Sequence, residues 1–192
     1  MSAILHTPPA IEPVPLSQVK NHLKIETSAD DDLILRLVST ARQYVERVSQ
    51  HVLIEQVWRV YFNHWPEDNE LALPVMPVSF IEALRTYSAQ DDVSEIDPSH
   101  YYADLVSTPP KLVLRHSRSW MNSSRPANGI EIELTAGYGP LASDVPAPFC
   151  QAILLLTAHW YENRNASCAQ SLQQDIGKEV QRLLQPYKVC RI

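Results

Sequence analysis

Between Ile130 and Arg164 the chain changes its hydrophobic period once, and that change constrains the fold more than any other stretch. Ile130, Ile132, Leu134 and Ala136 alternate with Glu131, Glu133 and Thr135, the period of a strand with one apolar face. Gly137-Tyr138-Gly139-Pro140 turns the chain, and Pro146 or Pro148 falls in a first helical turn, where a missing N–H costs nothing. Residues 152 to 156 are apolar on every side. The helix they open, roughly 17 residues and 25 Å long, therefore belongs in a core and not on a surface.

The same two periods organise the rest of the chain. Leu16, Val19 and Leu23 mark a short helix, and Ile34, Leu37, Ala41, Tyr44, Val45 and Val48 a longer amphipathic one, with Arg36, Arg42, Glu46 and Arg47 on its other side. Ser28-Ala29-Asp30-Asp31-Asp32 precedes it as an acidic helix cap. From Leu53 the period becomes two through Phe62, and it recurs around 70 to 75, 79 to 88, 100 to 106, 111 to 116 and 129 to 136. A last helix carries Leu172, Ile176, Val180, Leu183 and Leu184 and stops at Pro186. The predicted class is α+β: two N-terminal and two C-terminal helices around a β-rich middle, an antiparallel sheet or small sandwich. Residues 1–15, with Pro8, Pro9, Pro13 and Pro15, are predicted to be an extended arm or disordered leader. Residues 16–185 then form one domain with a β-rich insertion at about 53–136, and 186–192 form a C-terminal tail.

Composition narrows the function. The 192 residues suffice for a real core without staples. Cys150, Cys168 and Cys190 have no short spacing, so neither a disulfide framework nor a zinc site is indicated, and a reducing cytoplasm is the expected setting. The net charge of -6 is spread along the chain with no basic block, which argues against tight nucleic-acid binding by one copy. No run reaches the length of a membrane span, and the start lacks the pattern of a secretion signal. Fifteen prolines against four glycines imply rigid turns, and Pro74, Pro77, Pro98, Pro109 and Pro110 flank segments suited to edge strands.

No motif carries chemistry. His159 and Glu162 have a spacing that can share a metal, but no second pair completes a shell, so a packed histidine is the simpler reading. Asp30, Asp31 and Asp32 lack the glycine and distal glutamate of a calcium loop. There is no G-x-S-x-G elbow, and Gly137-x-Gly139 is too short for a dinucleotide fingerprint. Trp58, Trp65, Trp120 and Trp160 could stack bases, but without a basic groove they read as packing residues. Catalytic residues, cofactor and metal are all expected to be absent, and the chain is read as a non-enzyme.

Four pieces in order resemble one family. Pro15-Leu16-Ser17-Gln18-Val19-Lys20-Asn21-His22-Leu23-Lys24-Ile25 with Asp30-Asp31-Asp32-Leu33-Ile34, then Gln56-Val57-Trp58-Arg59, then Thr135 to Arg164, then Leu183-Leu184-Gln185-Pro186-Tyr187-Lys188 look like the tailed-phage gp6-like head-tail connector, or adaptor, proteins. Pro15 stands where a capping serine is commoner, Gln50 where a glycine usually ends the second helix, and Lys188 where arginine is usual. Residues 63 to 128 have no residue-by-residue match.

The resemblance implies a structural protein of a virion or phage-like particle neck, including gene transfer agents, made in the bacterial host cytoplasm. About twelve copies would form a ring under the portal, extend the DNA channel without binding DNA specifically, and meet a downstream neck or tail protein. It implies portal binding by Leu183, Leu184, Pro186, Tyr187 and Lys188. Arg36, Arg42, Arg47, Trp160 and Tyr161 are the candidate contacts between copies. Another neck or tail-completion ring protein is an alternative, and a small hydrolase or carbohydrate-binding module on the β-rich middle is an alternative of a different class.

Overall fold

The computed structural model describes residues 1–115, 120, 125–163 and 170–187. The chain divides into two compact units, one of Met1–Pro9 with Glu55–Tyr138 and the other of Ala10–Ile54 with Gly139–Ile192. The class is α+β, with helices at both ends of the sequence and antiparallel strands in the middle.

The first unit holds β1 (Ser2–Thr7), β2 (Gln56–Phe62), β3 (Glu70–Ala72), β4 (Val78–Tyr87), β5 (Val93–Glu95), β6 (Tyr101–Asp104), β7 (Lys111–Leu114) and β8 (Ile130–Ala136). They form two antiparallel sheets, a five-stranded one in the order β1-β2-β8-β4-β5 and a three-stranded one in the order β3-β7-β6. β8 lies at the centre of the larger sheet, paired with β2 on one edge and β4 on the other, and six of its seven residues are buried. Ile130, Ile132 and Leu134 stand opposite Phe62, Val60 and Trp58 of β2, and Val60, Leu84, Ile130, Ile132 and Leu134 are all buried. In the smaller sheet Leu71, Tyr101, Leu112 and Leu114 supply the buried face.

The leader is not an arm throughout. Ser2–Thr7 pairs with β2, with Ile4 opposite Arg59 and Leu5 opposite Trp58, although all six of its residues are exposed. The strand pairs through its backbone and buries none of its residues, so no apolar periodicity marks it in the sequence. β5 is likewise a short, wholly exposed edge strand.

The second unit is built from α1 (Leu16–Leu23), α2 (Asp31–Ser49), α3 (Ala147–Glu162) and α4 (Gln170–Leu184). α2 buries Ile34, Val38, Ala41 and Val45 at helical spacing, and α3 buries Phe149, Ala152, Ile153, Leu154 and Leu156. α3 is the central helix that its all-round apolar sequence requires. The acids at the start of α2 do not cap it with their side chains. Lys20 pairs with Asp31 at 2.8 Å and the Tyr161 hydroxyl donates to Asp30 Oδ2 at 2.6 Å, so these carboxylates tie α2 to α1 and α3.

α2 ends at Gln50, which has φ 61° and an exposed side chain. That left-handed conformation is costly for any residue with a Cβ and suits glycine at a helix end. Gln50→Gly is therefore expected to stabilise the protein by about 0.5–1 kcal/mol, read as a higher urea midpoint at unchanged slope.

Candidate functional site

The surface of α2 follows from its periodicity. Asp32, Leu35, Arg36, Thr40, Gln43, Tyr44 and Arg47 are exposed, and Arg36 Nε donates to the Asp32 carbonyl at 3.1 Å. Tyr44 meets Trp160 edge to face at 6.3 Å, making a half-exposed aromatic pair at the end of α3. Tyr161 is held by Asp30. Arg36, Arg47, Tyr44 and Trp160 thus present surface that another chain could cover.

Arg42 is different, and its placement on the free side of α2 is corrected. It is only 6% exposed, and it bonds Glu12 through Nε and Glu46 through Nη1, each at 2.8 Å. Glu46 Oε1 in turn accepts the Leu53 N–H at 3.0 Å. The arginine therefore pins the proline-rich leader to α2 inside one chain. Helical periodicity could not reveal this, because the partner Glu12 lies 30 residues upstream.

At the C-terminal end of α4, Leu184 is fully buried, Leu183 half-buried, and Gln185 and Pro186 exposed. Tyr187 packs on Phe149 at 4.5 Å and edge-on to His51 at 6.1 Å. Leu184 and Tyr187 act as anchors that present Leu183 and Pro186. Lys188, Arg164, Cys168 and Cys190 lie outside the described residues.

The outward face of the five-stranded sheet carries a charged network that period-two reading located only in part. Glu131 is 4% exposed, and its carboxylate accepts from Arg85 Nη1 at 2.8 Å and from the Tyr87 hydroxyl at 2.8 Å. Glu133 accepts from the same Arg85 at 2.8 Å and from Arg59 at 3.2 Å. The register explains the gathering, since Arg59 and Tyr61 on β2 stand opposite Glu133 and Glu131, and Arg85 on β4 stands opposite Glu131. Opposite charges at matching parity in neighbouring strands were the available signal, but using it needs the pairing of β2 with β8, 74 residues apart.

These bonds set the titration of the face. Burial pushes the Glu131 carboxyl up, but hydrogen bonds from Tyr87, Arg85 and Tyr61 outweigh it and leave the group below its ordinary value. The Arg85 hydrogen bond holds Glu133 low as well. Carboxylates depressed in the fold contribute stability that is present above the unfolded value of about 4.3 and is lost as pH falls through the folded value. The urea midpoint should stay level from neutral pH to about 5 and drop below about 4, and Glu131→Gln should flatten that drop.

The remaining groups do not converge. His159 is buried, with Nδ1 3.1 Å from the Asn163 amide, while Glu162 is exposed. Among the described residues no group of three or more His, Cys, Asp or Glu side chains is placed to hold a metal ion, and no helix is long and apolar enough to cross a membrane. Trp65 and Trp120 stack on each other at 4.2 Å, each using one ring face on the other.

The model of the phage gp6-like head-tail connector proteins matches residues 14–104 and 112–188. No curated protein matches the sequence. Among solved structures, the fold is similar to a chain of the virion of a native gene transfer agent particle, with TM-score 0.85 and 23% identity over 100% of this chain and 97% of that one. It is also similar to a chain in the neck of an empty gene transfer agent particle determined with C6 symmetry, with TM-score 0.83 at the same identity and coverage. A chain in the neck of the native particle with C12 symmetry matches at TM-score 0.78 and 23% identity, covering 98% of this chain and 97% of that one.

Proposed function

Because the chain belongs to the phage gp6-like head-tail connector family, we propose that it is a neck adaptor, a ring of about twelve copies beneath the portal that extends the DNA channel and joins head to tail. The observation that carries this reading is the extent of the family match, which runs through both helical ends and most of the β-rich middle. The likeness in fold to chains of gene transfer agent necks, one of them with C12 symmetry, supports a ring of that size.

Within that ring, Arg36, Arg47, Tyr44 and Trp160 supply a half-exposed basic and aromatic surface for a neighbouring copy. Arg42 and Tyr161 keep their bonds inside the chain and hold that surface in place. The portal meets Leu183 and Pro186, beside the packed Leu184 and Tyr187, together with Lys188. A net charge of -6 repeated in each copy disfavours adhesion of DNA, so a passing duplex slides and is not held. The downstream face meets the next neck or tail protein.

The test is co-sedimentation with the portal ring. The full chain is expected to sediment with the portal, and a chain lacking 186–192 to remain in the supernatant while keeping most of its urea midpoint. Equal sedimentation of both chains would remove the tail from the portal contact. Collapse of the midpoint would make Tyr187 a core residue first.

A further inference from the structure

The two edges of the five-stranded sheet are exposed at every residue, Ser2–Thr7 on one side and Val93–Glu95 on the other. Between Ser2 and Thr7 there is no proline, lysine, arginine or carboxylate. Ile4 and Leu5 are 57% and 40% exposed. This edge lacks the charges and prolines that normally keep an edge strand from pairing with another chain. At the opposite edge Val93 is 55% exposed, and Glu95 is drawn aside towards Arg85 at 3.8 Å.

Directions matter as much as exposure. Each of the four pairings across the sheet is antiparallel, so β1, β8 and β5 run one way and β2 and β4 the other. The two free edges are therefore different in sequence and alike in direction. We propose that β1 of one copy pairs in parallel with β5 of the next copy, continuing the sheet from subunit to subunit. This rests on the ring reading above.

The geometry favours a second copy over other occupants. A ring generated by rotation must join two unlike faces of each copy, and β1 and β5 are unlike. Neighbours in a twelve-fold ring differ by about 30°, so strand directions are nearly kept and a β1 to β5 junction comes out parallel. Pairing of β1 with another β1 would be antiparallel about a two-fold axis, would use up the edge in pairs and could not propagate. The junction is also short, because β5 has three residues. Such a ladder holds copies that are already gathered side by side, as they would be on a portal.

The test uses the full chain with Cys150, Cys168 and Cys190 changed to serine, carrying Ile4→Cys and Val93→Cys, assembled on its portal ring and treated with a short bismaleimide. The proposal expects a ladder of covalent multiples extending to the whole ring, and little cross-linking from either cysteine alone. Dimers from Ile4→Cys alone would overturn it in favour of β1 to β1 pairing. Absence of cross-links in a ring of full mass would overturn it and leave the ring reading intact. A wild-type chain that forms no ring with the portal would remove both. Independently, Leu5→Lys should weaken assembly by roughly tenfold, the effect of burying an unpaired charge at a junction, without moving the unfolding midpoint of the free chain. Unchanged assembly of this variant would also overturn the proposal.

Discussion

Gly139→Ala is expected to destabilise the protein by about 3 kcal/mol, the sum of backbone strain at one residue and a lost cap nearby. Gly139 has φ 157°, a conformation that side-chain-bearing residues rarely adopt. An added Cβ would also meet the Asp144 carboxyl, 2.8 Å from Cγ and closer still to Oδ2. That same oxygen accepts the Leu141 N–H at 2.9 Å, closing the turn that leads into α3. The methyl group therefore both strains the backbone and displaces the acceptor of an N–H that has no other partner there. Urea denaturation measures the loss, and a double-mutant cycle locates it. Asp144→Ala should cost about 1 kcal/mol alone but nearly nothing in the Gly139→Ala background. Additive losses would mean that the two residues do not share this turn.

Arg85→Met should cost about 2 kcal/mol, because it removes the cation shared by two shielded carboxylates and leaves Glu131 with tyrosine hydrogen bonds and Glu133 with Arg59. Arg85 bridges Glu131 and Glu133 with one nitrogen, and both carboxylates are largely shielded from water. Methionine keeps much of the aliphatic stem, so the loss reports charge more than packing. Two checks separate these causes. Glu131→Gln in the Arg85→Met background should recover part of the stability, and the deficit of Arg85→Met should shrink as pH is lowered towards 4, where a carboxyl can take up a proton. A loss that is independent of pH and unrelieved by Glu131→Gln would assign it to packing.

The strongly periodic elements were legible in the sequence for physical reasons. α2 buries one face, α3 is apolar all round, and β8 alternates apolar residues with Glu131, Glu133 and Thr135, so their spacing marks them, although in β8 both faces are covered and six of the seven residues are buried. What stayed hidden depends on partners distant in sequence. β1 is an edge strand held by backbone bonds and has no buried face to leave a pattern. Arg42 reads as a surface residue until Glu12 folds against it, and Asp30 reads as a cap until Tyr161 reaches it from 131 residues away. Tyr187 falls in the predicted tail, but it lies on Phe149, whereas Leu184 is buried as its place on the last helix implies.

The left-handed Gln50 teaches a related lesson. The residue at a helix end need not be glycine for the backbone to take the turn, so a helix stop can be present without its usual sequence mark. The family resemblance, not local composition, located that stop. Function was legible in the same way. Charge and the lack of a catalytic pattern narrowed the classes, while the order of four segments and the long stretch from Thr135 to Arg164 carried the resemblance.

Native mass spectrometry of the chain, alone and mixed with its portal ring, decides whether it is a ring-forming adaptor. An adaptor should show a portal-dependent increment equal to a complete ring, about twelve copies if it follows the C12 symmetry of the related neck. A monomer whose mass is unchanged by the portal would contradict the adaptor reading.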